Sequence, residues 1–81
     1  MKNALIENTA SQDQQTRARL IQAAVELFSE RGFKRVTVRE ICLAAGANVS
    51  SVNYHFRDKL GLYGEVVTLA IEAMRSASAA A

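Results

Sequence analysis

Apolar residues recur as Leu20, Ile21, Ala24, Leu27 and Phe28, the three-and-four spacing of one helix face, and the run stops at Gly32. Ser11 and Gln14 form an S-x-x-Q capping pattern ahead of it, so a first helix is predicted over residues 12–31, closed by the glycine. Residues 1–11 are polar and carry no helical period; a flexible arm is expected there. After "GFKRV", the run "TVRE" forms a second capping box: the Thr37 hydroxyl can accept the backbone N–H of Glu40, whose carboxylate can reach back. Helix two is predicted over 38–45, with Val38, Ile41, Cys42 and Ala45 inward and Gly46 as its stop. Asn48 is a good N-cap for a third helix over 49–56, where Val49, Val52 and Phe56 fall at i, i+3 and i+7. Asp58 is placed to cap a fourth helix. Its stripe of Leu62, Val66, Leu69, Ala70, Ala73 and Met74 extends to about Arg75, and the "SASAAA" tail is expected to fray. Gly61 and Gly64 are expected to weaken its first turns by up to ~1 kcal/mol each relative to Ala.

Two short helices joined by a three-residue turn containing Gly are the helix-turn-helix pattern. The pattern predicts an all-α chain with a three-helix head and the start of a fourth helix. Its organisation is an arm at 1–11, a helix-turn-helix domain at 12–63, and helix four with its tail at 64–81.

Length and composition agree with a single small domain: 81 residues, 49% hydrophobic, 22% charged, four Gly and no Pro. The net charge of +2 says little, but its distribution does. Arg31, Lys34, Arg35, Arg39, Arg57 and Lys59 face only Glu40 and Asp58 across residues 31–59, a local basic field that favours a polyanion. Cys42 is the only cysteine, which excludes an internal disulfide and lends no support to an oxidising compartment. The N-terminal run Ala4, Leu5, Ile6 is too short for a signal peptide core or a membrane span, so a cytoplasmic protein is expected.

The candidate chemistry lies in "NVSSVNYHFRDK", residues 48–59. With the apolar positions of helix three turned inward, its remaining face carries Ser50, Ser51, Asn53, Tyr54 and His55, a row of hydrogen-bonding groups where a recognition helix meets DNA. Asn48 at the mouth of that helix counts with them. No cofactor is implied, because the chain has no glycine-rich phosphate loop. His55 stands alone, without Cys, His or carboxylate partners at metal-ligand spacing, so a phosphate hydrogen bond or simple packing suits it better than metal or catalysis. Cys42, on the inward side of helix two, reads as core filling rather than a redox sensor. Arg17 and Arg19 are either plain solvated charges or flank DNA.

Together, "AAVELFSERGF", "TVREI", "AGANVSSVNYHF" and the following Lys59 with Leu62 resemble, in order and spacing, the DNA-binding domain of the tetracycline-repressor (TetR) family of bacterial transcription regulators. The resemblance covers residues 19–63. It implies a homeodomain-like head and sequence-specific binding of double-stranded DNA, usually in repression, with helix three in the major groove of a near-palindromic operator. By the resemblance, Thr37 and Arg39 would sit near phosphate or a groove edge, Ser50, Ser51 and Asn53 would face the bases, and Tyr54, His55 and Lys59 would hold the sugar-phosphate backbone. Many relatives carry an aromatic residue where Asn53 stands and an acidic one where Leu60 stands. Members of the family are homodimers with a small-molecule effector site in a larger C-terminal domain. This chain ends in helix four, so neither property carries over, and both a fragment and a naturally shortened regulator remain open. A different class of function also stays open: a protein-interaction module acting through the apolar stripe of helix four. An enzyme finds no support in any motif.

Overall fold

The computed structural model describes residues 2–80, with side chains described for 12–77. Among the described residues there are four helices and no strand: α1 (Lys2–Arg31), α2 (Val38–Ala45), α3 (Val49–Phe56) and α4 (Lys59–Ala80). The bounds of α2 and α3 are those the capping signals predict. The outer ends of α1 and α4 are not. Helix α1 starts at Lys2 and not at residue 12, so the backbone of the expected arm is helical from Lys2 onward. The stretch 2–31 contains neither Gly nor Pro, and nothing in it stops a helix from propagating outward. For the same reason α4 passes Arg75 to Ala80 through the Ala-rich tail.

The inner ends follow from local chemistry. Gly32, at φ 83°, donates its N–H to the Phe28 carbonyl at 2.8 Å and ends α1. At the end of α2, Gly46 takes φ 67°, its N–H reaches Leu43 O, and the Ala47 N–H reaches Cys42 O at 2.9 Å, a Schellman closure. The Asp58 carboxylate accepts the Gly61 N–H at 2.8 Å and caps α4 as expected. Between α3 and α4 the chain turns at Arg57, with φ 78° and ψ −51°, a strained conformation for a residue with a Cβ. Gly61 lies so close to the end of α3 that a Cβ there would stand 1.9 Å from the Phe56 carbonyl oxygen.

The core joins Leu20, Ala23, Ala24 and Phe28 of α1 to Ile41, Cys42 and Ala45 of α2, Val52 and Phe56 of α3, and Leu62 of α4. Val36, from the α1–α2 connection, is fully buried among them, a core member that no periodicity could reveal. Each fully buried aliphatic side chain contributes roughly 1.5–3 kcal/mol. Ile21, Leu27, Val38 and Val66 pack around this centre. Two apolar expectations fail. Val49, placed inward by its spacing, is 46% exposed because it stands in the first turn of α3, away from the α1–α2 contact. On α4 the stripe meets the core only as far as Val66; Leu69, Ala70, Ala73 and Met74 are exposed.

Arg17 and Arg19 are not plain solvated charges, since both tie helices together within the chain. The Arg17 guanidinium lies 2.9 Å from the Glu65 carboxylate and 5.3 Å from the centroid of the Phe56 ring, joining α1 to α4 and to the end of α3. Arg19 Nε donates to the Ala45 carbonyl at 3.0 Å, answering an open carbonyl at the end of α2. Cys42 is 3% exposed, and burial pushes its thiol pKa up, as suits a core residue.

Candidate nucleic-acid interface

Helix α3 owes its place to Val52 and Phe56, which anchor one side in the core and leave the opposite side to solvent. On that open side Ser50, Asn53 and Tyr54 are exposed, with Ser51 and His55 half-buried at its edge. Tyr54 is 75% exposed, far more than a packed aromatic would be. Its ring stands edge-on to His55 at 4.8 Å, and His55 in turn lies 5.9 Å from the Phe56 ring, so the core residue steadies both polar aromatics. Among the described residues, none of these five side chains hydrogen-bonds within the chain. Their donors and acceptors face outward unused.

Asn48 occupies the N-cap position in extended geometry, φ −97° and ψ 155°, yet its side chain makes no capping hydrogen bond. The expected cap is therefore positional only, and the amide stays available for a ligand. Thr37 shows the opposite arrangement. Its hydroxyl accepts the Glu40 N–H at 3.1 Å and faces Glu40 Oε1 at 3.1 Å, while its own backbone N–H donates to that oxygen at 3.0 Å. Glu40 also receives the Arg31 guanidinium at 2.6 Å. These contacts, the Arg31 hydrogen bond foremost, hold the Glu40 carboxyl below its usual pKa.

The electrostatic consequence concerns the whole segment 31–59. Its two acids are both engaged, Glu40 with Arg31 and Thr37, and Asp58 with the α4 N-terminus. Lys34, Arg35, Arg39 and Arg57 remain exposed, and none of them joins an ion pair among the described residues. Lys59 is half-buried, its ammonium 4.2 Å from the centroid of the Phe33 ring.

Ser50, Ser51, Tyr54 and His55 come together along one open cleft, whose other wall is Asp13 and Thr16 of α1. Thr37, Arg39, Asn48, Asn53 and Lys59 lie outside the cleft, at the start of α2, on and before α3, and at the start of α4. Asp13 and Thr16 were missing from the sequence-based set. They sit three residues apart on α1, beyond its apolar stripe, and no sequence signal marks them, because only the fold brings α1 alongside α3. The combination of exposed amide, hydroxyl and imidazole groups with unpaired cations suits hydrogen bonding to base edges and phosphates.

Comparison with known proteins agrees with this geometry. The family described as bacterial regulatory proteins, tetR family, matches residues 20–66. Among curated proteins, the chain is 40% identical over 53 residues to a probable HTH-type transcriptional regulator, YttP, of Bacillus subtilis, covering 65% of this chain and 26% of that protein. It is 32% identical over 62 residues to the HTH-type transcriptional regulator AcrR of Shigella flexneri, covering 76% of this chain and 29% of that one. With the HTH-type transcriptional repressor KstR2 of Mycolicibacterium smegmatis it shares 38% identity over 60 residues, 74% of this chain and 29% of the relative. The chain thus spans less than a third of the length of these relatives. The family match takes in the core of α1, all of α2 and α3 and the anchored start of α4, and the chain belongs to the tetR family of bacterial regulatory proteins, as a helix-turn-helix DNA-binding domain.

Proposed function

We propose that this domain reads a near-palindromic operator by laying α3 in the major groove, and that the regulator it serves is a cytoplasmic repressor. The observation that carries the reading is the outward face of α3, where the side chains of Ser50, Asn53 and Tyr54 are exposed and make no hydrogen bond among the described residues. Asn53 discriminates sequence in this reading, since a carboxamide can pair with adenine N6 and N7, worth about 1–3 kcal/mol when bidentate. Ser50 and Ser51 add contacts to base edges. Tyr54, His55 and Lys59 hold phosphates, and Arg39 and Asn48 approach the backbone from the start of α2 and α3. Thr37 acts chiefly through the cap that fixes α2. A dimer is the form in which two such heads meet a palindrome, each helix entering the groove about one helical turn or more from the other.

The test is selection from a randomised duplex pool with the purified chain at low salt, followed by titration of two variants. Asn53→Ala is expected to relax preference at one or two base positions. Lys59→Ala is expected to weaken binding to all duplexes alike and to reduce the salt slope by about one unit. Equal losses on every sequence with unchanged slopes would refute this division of roles. A second reading rests on Val67, Leu69, Ile71 and Met74, all exposed on α4, as a surface for another protein. It requires that Asn53→Ala leave partner binding intact while a polar change at Leu69 abolishes it.

A further inference from the structure

The head of Lys59 lies 4.2 Å from the centroid of the Phe33 ring, well within the reach of a cation–π contact. Phe33 belongs to the α1–α2 connection and is itself held in place. It meets Tyr63 at 4.9 Å and Phe28 at 5.7 Å between centroids, and Tyr63 closes the trio edge-on to Phe28 at 5.3 Å. The ring under Lys59 is therefore a fixed platform.

A ring face differs from a carboxylate in what it leaves free. Arg17 also sits over an aromatic ring, that of Phe56, but it is neutralised by Glu65. Lys59 joins no ion pair among the described residues, and the carboxylate beside it in sequence, Asp58, is engaged with the Gly61 N–H. Its charge is undiminished. A lysine stem has many rotamers, and ordering them opposes any contact the ammonium makes. The ring removes part of that cost before a ligand arrives.

We propose that Phe33 is a positioning residue for phosphate binding: its ring pins the Lys59 ammonium at the corner between α3 and α4, with full charge and open donors. This rests on the DNA-binding reading above and adds to it a residue outside both helices of the helix-turn-helix.

The experiment titrates a mixed-sequence duplex about three helical turns long with the full chain over a range of salt. The proteins are the unaltered chain, Lys59→Ala, Phe33→Leu, Phe33→Tyr and the Lys59→Ala/Phe33→Leu pair, with denaturant unfolding followed alongside. Lys59→Ala reduces the slope of log affinity against log salt by about 0.9. Phe33→Leu weakens binding about two- to five-fold, Phe33→Tyr retains it, and the double variant binds no more weakly than Lys59→Ala alone. Phe33→Leu binding like the unaltered chain would overturn the proposal, as would losses that multiply in the double variant. A second readout needs neither DNA nor a variant: in the free protein, the ring displaces the Lys59 ε-methylene protons upfield in the proton NMR spectrum. Ordinary shifts there would refute the pinning itself. Upfield shifts in a chain that binds no duplex even at low salt would overturn the DNA-binding reading, and the role of Phe33 with it.

Discussion

An alanine methyl at Gly61 would stand 1.9 Å from the Phe56 carbonyl oxygen, whereas at Gly64, one helical step further on, it would meet nothing within 4 Å. Gly61→Ala must push two backbones apart and is expected to destabilise the domain by more than the ~1 kcal/mol that any helix glycine costs relative to alanine. Gly64→Ala is expected to stabilise it by roughly 0.5–1 kcal/mol, and paired urea titrations check both signs. Composition alone treats the two glycines alike, because the approach of α4 to the end of α3 is a matter of packing. The same limit hides the ring beneath Lys59 and the exposure of Val49. Helical spacing states which residues share a face, and it is silent on whether a neighbouring element covers that face.

At the scale of elements, the helix ends around α2 are the most legible part of the chain, because each cap or closure is set by residues close together in sequence. Thr37 and Glu40 announce the capping box, and Gly32 and Gly46 announce the closures; all four are where the sequence puts them. What the spacing omits is Arg31, which reaches Glu40 from the end of α1 and ties the two helices together. Because the folded chain holds the Glu40 carboxyl below its ordinary value of 4.5, the stabilisation is present above that value and is lost as pH falls through the lower folded one. Glu40→Gln is therefore expected to be less stable than the unaltered chain near neutrality and to converge with it in acid. Urea midpoints compared across that range settle the matter, and a constant difference would count against the Arg31 link. The outer ends of α1 and α4 were illegible for the converse reason: where no Gly or Pro interrupts the chain, a helix can continue past a cap pattern.

Across the whole molecule, the head is built from three helices and the first two turns of α4, and the rest of α4 leaves the core behind after Val66. The candidate face on α3 was readable because amphipathic patterning separates anchors from outward groups within a single helix. Asp13 and Thr16 were not, since only the folded chain brings α1 alongside α3. Cys42 carries one more consequence. The sole thiol is 3% exposed at the centre of the core, so no alkylating reagent can reach it until α2 leaves α1. The molecule thus contains its own unfolding clock. With reclosing faster than labelling, the rate of iodoacetamide capture reads the population of the opened state, and a tightly bound duplex is expected to slow it in proportion to occupancy.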